Sequence, residues 1–319
     1  MVVDGHLADI CRRLLDDVGN RPASEPVCLA GHFRRIFRIH RTPGLQKTLN
    51  IVSCLGIRAE AVNYLPTSAV NMTVENRWHI NYSAVDRPAT QKFSIYHELF
   101  EILDKTFCEV DKSHNPLAEP RLSRCADRFA GAVLLPPEFF TRQILESGCD
   151  IVKLGDEIEL SHQCLLIGLA EHLKPLPLVG ALYEWDPPGF PALQARTTDF
   201  VPTTVVRTPS VREVLPLGPR QKMPVRDVRP YRGGPLCTAI TSMRPVLWHD
   251  SVNDRNPLIL VRPLRTGLHT HRILLLALPG RERTLLQPQI DRIKPFELHG
   301  DEACPLVGIY PQCDRCNGL

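Results

Sequence analysis

The sequence lacks the features that mark several large classes of protein. No apolar run approaches the roughly 20 residues needed to cross a bilayer, and the longest candidates, such as residues 273–278, have the length of a strand. Neither charge sign dominates, and a net charge of +3 is too small to indicate a nucleic-acid or membrane partner by itself. The N-terminus carries Asp4 and no apolar core, so we see no secretion signal. Internal repeats and low-complexity tracts are also missing.

Cysteine is plentiful, but its arrangement does not indicate a disulfide framework. The chain has 11 cysteines, and most of them stand singly within apparent helices and strands. An odd number of cysteines without an export signal favours reduced thiols over paired ones. We therefore expect a cytoplasmic protein.

Proline divides the chain into two regions. Of the 29 prolines, 20 lie at or after Pro175. Because proline interrupts helices and central strands, the later region is predicted to consist of short strands and loops. We expect an α+β protein with two domains. Residues 1–174 would form a mainly helical domain with a small sheet, and residues 175–319 a β-rich domain whose one long helix covers residues 284–293.

Apolar periodicity and helix stop signals place the elements of the first domain. Thr90 and Ser161 are candidate N-caps. The predicted strands are 57–62, 67–74 and 77–82, with a turn near Glu75-Asn76 between the last two. The predicted helices are 6–19, 28–40, 43–54, 90–107, 121–135, 138–147 and 160–173.

The most informative stretch covers residues 93–101, Phe-Ser-Ile-Tyr-His-Glu-Leu-Phe-Glu. His97-Glu98 matches the start of the metallopeptidase helix His-Glu-x-x-His, in which two histidines one turn apart hold zinc and the glutamate is the general base. Here Glu101 occupies the position of the second histidine. On a helix, positions 97 and 101 face the same way, so a carboxylate would replace an imidazole in the ligand set.

The order of the motifs resembles the ImmA/IrrE family over roughly residues 43–174. The matching segments before the motif are Leu55-Gly56-Ile57, the strand Trp78-His79-Ile80-Asn81 and the basic segment 87–94 that leads into the motif helix. The motif itself is Tyr96-His97-Glu98-Leu99. After it come Ala126-Asp127-Arg128-Phe129-Ala130, then Leu134-Leu135-Pro136, and the helix 160–173.

This resemblance implies a zincin-like fold and a zinc-dependent protease with Glu98 as general base. Family members cut helix-turn-helix repressors and thereby switch on stress, phage or mobile-element genes. A repressor of that kind is therefore the expected substrate or binding partner. Some members add a C-terminal sensor-like domain resembling a GAF fold, a role that residues 175–319 could fill.

The resemblance also defines the candidate metal ligands. His97 and Glu101 would supply two of them, and the extra negative charge of Glu101 would suit zinc less well than a harder metal such as manganese. The family takes its third ligand from a glutamate whose position here is Ser123, a very poor zinc ligand. Asp127 lies one turn further along the same predicted face and could reach in. Other candidates are His114, Glu119 and Cys125.

Each of these residues also has a purely structural interpretation. His97 could be a buried histidine bonded to a backbone carbonyl, and Glu98 with Glu101 could form a solvated helix face. Asp127 could be a polar helix residue that bonds a loop, which we favour over the ligand role. Phe100 replaces a usual small residue, and we expect it to pack in the core, where its bulky ring would also narrow the cleft.

A second set of candidate ligands lies at the C-terminal end. Cys313-Asp314-Arg315-Cys316 is a C-x-x-C pair, Cys304 is close in sequence, and His299 and Cys237 could complete a set of four. Such a set would hold a structural zinc ion. The alternatives are a redox pair or a reduced tail without function.

Two functional hypotheses of different class follow. The first is a metal-dependent peptidase that cleaves a helix-turn-helix repressor. The second is a catalytically inactive regulator that binds a repressor or another protein partner. A third idea, direct DNA binding through the arginines of residues 28–56, is less favoured than a solvated basic face.

Overall fold

The computed structural model describes residues 5–18, 25–185, 200–210, 238–239, 242–249, 257–265 and 271–299. The chain separates into two compact units. The first comprises Met1–Arg142 and Val152–Cys164, and the second comprises Gln143–Ile151 and Leu165–Leu319. None of the helices in the described part of the chain has the length and apolar character needed to cross a membrane.

The first unit begins with three helices and a three-stranded sheet. Helices α1 (Gly5–Val18), α2 (Pro26–Ile36) and α3 (Leu45–Cys54) precede strands β1 (Arg58–Val62), β2 (Ala69–Val74) and β3 (Arg77–Ser83). The strand order is β1-β3-β2, with β1 parallel and β2 antiparallel to β3. Glu75 and Asn76 both have positive φ, so the predicted turn is the tight type that suits a two-residue hairpin. Strand β2 lies at one edge of this sheet, because the strand order places β3 on its only paired side.

Helices α4 (Pro88–Val110) and α5 (Arg121–Leu134) form the centre of this unit. Their apolar faces meet in an aromatic cluster, in which the ring centroid of Phe129 lies 5.4 Å from that of Phe100 and 5.5 Å from that of Phe33. Phe100 is fully buried, so its core-packing interpretation is confirmed. Helix α4 begins at Pro88, with Arg87 rather than Thr90 at the N-cap. Proline favours the first helical position because its fixed φ is already helical.

Three shorter helices follow, α6 (Pro137–Glu146), α7 (Ile151–Ile158) and α8 (His162–His172). The predicted N-cap at Ser161 is confirmed, because its hydroxyl accepts a hydrogen bond from the backbone N–H of Cys164 at 3.2 Å. Helix α7 was not predicted from the sequence. It has only eight residues, which is too short to give a clear apolar period.

The second unit is built on a six-stranded sheet. Its strands are β4 (Val179–Trp185), β5 (Phe200–Arg207), β6 (Val246–His249), β7 (Pro257–Arg265), β8 (His271–Pro279) and β9 (Phe296–His299), in the order β5-β4-β8-β7-β6-β9. All neighbouring pairs are antiparallel except β6 with β9. Strand β8 is buried on both faces from Ile273 to Leu278, which explains the continuous apolar run in its sequence.

Helix α9 (Arg283–Ile293) follows β8 and matches the predicted helix at 284–293. It contributes to a buried ionic cluster around Asp150, whose side chain is fully buried. Asp150 pairs with Arg262 of β7 at 2.5 Å and with Arg292 of α9. Two guanidinium groups therefore contact one buried carboxylate within the second unit, so the carboxylate is not buried as an unpaired charge. Helices and strands together confirm the predicted α+β class and the β-rich C-terminal region.

Candidate active site

The candidate site lies along one face of helix α4. The helical repeat brings His97, Glu98, Glu101 and Lys105 to one side of the helix, since residues three and four apart are neighbours. The opposite side of α4 is apolar and buried, as the full burial of Leu99 illustrates. The packing of that apolar side fixes the helix and turns the polar side toward β2 and α5.

His97 is bracketed by two carboxylates. Its Nδ1 lies 2.9 Å from Oδ1 of Asp127 on α5, and its Nε2 lies 3.5 Å from Oε1 of Glu101, one turn further along α4. The two nitrogens point to different sides of the imidazole ring, so the two carboxylates flank it.

Glu98 does not contact His97 through a hydrogen bond but reaches across to the edge strand. Its Oε2 accepts two hydrogen bonds from Asn71 of β2, one from the backbone N–H at 2.9 Å and one from the side-chain Nδ2 at 2.5 Å. The same Nδ2 donates to Oε2 of Glu101 at 2.8 Å. One amide group therefore bridges both glutamates of the motif.

Lys105 completes the network from the exposed end of the face. Its Nζ donates to Oδ1 of Asn71 at 2.9 Å, and the same atom lies 5.5 Å from the ring centroid of Trp78 on β3. The second distance is within the range of a cation–π contact. The ammonium group also lowers the pKa of Glu101 through its charge.

The surroundings shift the pKa values of the three motif residues in different directions. Burial by itself would lower the pKa of His97, but the hydrogen bonds to Asp127 and Glu101 outweigh it and raise that pKa from 6.5 to about 10. The hydrogen bond from His97 lowers the pKa of Glu101. Burial raises the pKa of Glu98, against the hydrogen bonds from Asn71. The shifts of His97 and Glu101 favour a positive charge on the imidazole and a negative charge on the carboxylate.

Two of the predicted metal ligands face each other across the site, with His97 Nε2 3.5 Å from Oε1 of Glu101. Asp127 meets the opposite ring nitrogen of His97, and Asn71 donates to Oε2 of Glu98 and to Oε2 of Glu101. Among the described residues, no group of three or more His, Cys, Asp or Glu side chains is arranged to hold a metal ion. The assignment of His97, Glu101 and Asp127 as ligands remains a prediction.

The other predicted candidates lie elsewhere or are otherwise engaged. His114 is buried and its Nε2 lies 3.1 Å from Oδ1 of Asp104, while Cys125 is buried in α5. Glu119 precedes Pro120 through a cis peptide bond. The C-terminal candidates Cys304, Cys313 and Cys316, together with Cys237, lie outside the residues that the structure describes.

Two residues of the network, Asn71 and Lys105, were not identified from the sequence. Lys105 continues the polar face of α4, and a search at four-residue spacing from Glu101 would have found it. Asn71 gives a weaker signal, because asparagine is depleted in strands and stands here between Val70 and Met72. An isolated amide in an apolar strand can be flagged, but its partner cannot be named without the tertiary structure.

Comparisons with known proteins agree with this architecture. Residues 56–169 match the family model of the IrrE N-terminal-like domain, which spans the small sheet, the helix with the His97-Glu98 pair and the helix with Asp127. A search among curated proteins finds no match. Among solved structures, the chain is similar to a Mycobacterium tuberculosis transcriptional regulator, with 13% identity and a TM-score of 0.56 over 92% of this chain and 88% of that chain. At this identity the likeness shows the fold alone.

Proposed function

Because residues 56–169 form an IrrE N-terminal-like domain of the ImmA/IrrE family, we propose that the protein regulates transcription by binding a helix-turn-helix repressor, without cleaving it. The observation that carries this proposal is the ligand set, in which Glu101 replaces the second histidine of the motif and Ser123 on α5 stands at the position of the family's glutamate ligand. Serine is a very poor zinc ligand. We keep the division into residues 1–174 and 175–319 as part of the proposal, with the second region as the sensor-like part.

An exposed apolar surface next to the small sheet supports a protein partner. Tyr64 follows β1 and is 96% exposed, and Val85 follows β3 and is 76% exposed. Strands β1 and β3 are parallel neighbours, and the backbone N–H of Ala84 donates to the carbonyl of Val62 at 2.8 Å. Both apolar side chains therefore lie near the same end of the sheet. Large apolar side chains exposed close together are typical of interaction surfaces.

The test is a binding measurement with the purified helix-turn-helix repressor whose gene lies nearest to that of this protein. We expect the wild type and Glu98→Gln to bind it with equal affinity, and the repressor to stay intact by mass spectrometry. Tyr64→Ser and Val85→Ser should each weaken binding about tenfold, as loss of an apolar contact does. Ile167→Ser, which alters a 41% exposed side chain on α8, serves as the matched control. Absence of binding by the wild type would refute the proposal.

A metal-dependent peptidase is the second candidate, and one observation favours it. Helix α5 supplies Asp127 at 2.9 Å from His97, so the two motif helices bring a carboxylate to the histidine. The same experiment separates the candidates. Fragments of the repressor that form with the wild type and disappear with Glu98→Gln would favour the peptidase. Zinc or manganese retained by the wild type and lost in His97→Ala would support it further.

A further inference from the structure

The segment that runs from α2 into β1 carries positive charge without any negative charge. Residues 26–59 contain six arginines and lysines and no aspartate or glutamate, although the net charge of the whole chain is only +3. We propose that the turn between α2 and α3 binds the phosphate backbone of duplex DNA without reading the base sequence. We call the exposed cations Arg35, Arg38, Arg41 and Lys47 the basic turn. The inference goes beyond the proposed function, because it requires no repressor.

Two of the six cations serve the fold and are not part of the basic turn. Arg34 donates to the backbone carbonyl of Ala132 in the last turn of α5, and burial lowers its pKa. Arg58 pairs with Glu60 on β1. Among the residues that the structure describes, no carboxylate forms an ion pair with a member of the basic turn. The charge of these four side chains is therefore open to an anion from outside.

One carboxylate approaches the edge of this surface. Asp17 of α1 lies 3.1 Å from Nδ1 of His32, and a terminal nitrogen of Arg35 lies 2.6 Å from the same ring nitrogen. Asp17 thus contacts the imidazole rather than the guanidinium, but it reduces the positive potential at Arg35. The variants of the test therefore remove the other members of the basic turn, Arg38, Arg41 and Lys47.

The backbone holds the members of the basic turn together. Arg38 follows α2 with a positive φ of 50°, and the backbone N–H groups of Arg38 and Ile39 donate to the carbonyls of Arg35 and Arg34 at 3.3 and 2.9 Å. Such bonds end a helix in a defined turn. The side chain of Ile39 is buried and anchors this turn. Lys47 of α3 donates from Nζ to the carbonyl of Arg38 at 3.2 Å, which brings its charge to the same place.

The electrostatics of the two helices do not account for these charges. A cation stabilises a helix near its C-terminus and destabilises it near its N-terminus. Arg35, in the last turn of α2, fits this rule. Lys47 lies in the first turn of α3, which has no acidic residue, so its charge opposes the helix dipole. Arg41 lies between the two helices. The structure thus favours an external anion over the solvated basic face expected from the sequence.

Duplex DNA is the anion that suits an open turn with several exposed cations. It carries one negative charge for about every 1.7 Å of its axis, so several side chains can meet phosphates at the same time. Arginine and lysine are common donors to phosphate oxygens. Gln46 and Asn50, the neighbouring amides on α3, bond each other at 3.0 Å, which disfavours their use in reading bases. We therefore expect binding to DNA of any sequence.

The test is fluorescence anisotropy of the full chain with a labelled DNA duplex of scrambled sequence, repeated over a series of NaCl concentrations. If each cation of the basic turn meets one phosphate, the logarithm of the association constant should fall against the logarithm of the salt concentration with a slope of about −3.6. Arg38→Gln/Arg41→Gln should make the slope shallower by about 2. The same double variant should weaken binding in low salt by about tenfold or more.

A matched control removes the same amount of charge from paired arginines. Arg12→Gln/Arg58→Gln alters side chains that are 59% and 67% exposed and that pair with Asp9 and Glu60. We expect this variant to keep the slope and the affinity of the wild type.

Lys47→Gln separates DNA binding from stability. It should make the slope shallower by about 1, while the midpoint of thermal unfolding stays within about 2 °C of the wild type. The reason is that the charge of Lys47 does not stabilise α3.

The inference is overturned if the wild type does not bind the duplex, or if the control variant loses as much affinity as Arg38→Gln/Arg41→Gln. It is also overturned if Lys47→Gln loses stability and keeps its affinity for DNA. Displacement of the duplex by poly-L-glutamate at an equal concentration of charge would assign the basic turn to an acidic protein instead. No repressor is present in this experiment, so its failure is distinct from a failure of repressor binding.

Discussion

Two histidine–aspartate pairs in the first unit have the same chemistry but different surroundings. Asp104 of α4 lies 3.1 Å from His114 in the following loop, and their side chains are 1% and 6% exposed. His97 of α4 lies 2.9 Å from Asp127 of α5, and these side chains are 19% and 55% exposed. A pair that is sealed in the core can only hold the chain together, whereas a pair open to solvent can meet a partner or an ion.

The buried pair has a structural role that the contacts make plain. Asp104 also accepts a hydrogen bond from the backbone N–H of Leu117 at 3.0 Å, and the ring of Phe107 packs at 5.7 Å from that of His114. The carboxylate of Asp104 thus binds two residues, His114 and Leu117, of the loop that leads from α4 to α5. The position of this loop determines where Asp127 of α5 meets the motif helix.

The largest effect is expected from breaking the buried pair. Asp104→Ala leaves the imidazole of His114 and the backbone N–H of Leu117 without their acceptor, and removing one member of a buried pair costs about 3–5 kcal/mol. We expect the free energy of unfolding in urea to fall by that amount. Asp111→Ala, at an exposed carboxylate that bonds Ser113, is the control and should leave the urea unfolding curve nearly unchanged. Equal losses of stability in Asp104→Ala and Asp111→Ala would contradict the structural role of the buried pair.

A smaller effect is expected from pH acting on the open pair. The pKa of His97 is raised in the folded protein from 6.5 to about 10, so its stabilising contribution is complete below pH 6.5 and is lost as the pH rises toward 10. Urea unfolding of the wild type should therefore show falling stability across this window. The stability of His97→Gln should fall less steeply with pH. The difference between the two curves isolates the contribution of His97, because the other titrating groups are the same in both proteins. Parallel curves would contradict the charged state of His97.

The smallest effect is expected from breaking the open pair directly. Asp127 is about half exposed, and exposed ion pairs contribute about 0.2–1 kcal/mol. Asp127→Ala should reduce the free energy of unfolding by that amount only, and the pKa of His97 measured by NMR should fall only slightly, because Glu101 still faces the imidazole. Asp156→Ala, on α7, provides a control at another helix position. A loss comparable with that of Asp104→Ala would mean that the open pair is a core element too.

The sequence predicted local structure better than it predicted the contacts of the site. The helix with His97, the hairpin at Glu75-Asn76 and the N-cap at Ser161 follow from periodicity and turn chemistry, which act over a few residues. The start of α4 was misplaced by two residues, because Pro88 at the first helical position outweighed Thr90 as a cap. The order of the family motifs makes Asp127 a candidate ligand, but the interpretation favoured from the sequence is a loop contact, and the structure places Asp127 against His97 on α4 instead.

What the sequence alone determined is therefore most of the helices and strands of residues 1–174, the α+β class and the place of the His97-Glu98 pair on a helix. What only the tertiary structure decided is which donors and acceptors meet across α4, α5 and β2. Asn71 is 27 residues from Glu98 along the chain, and no local pattern encodes a hydrogen bond over that separation. Such contacts follow from how buried faces pack, since packing sets where each polar side chain can reach.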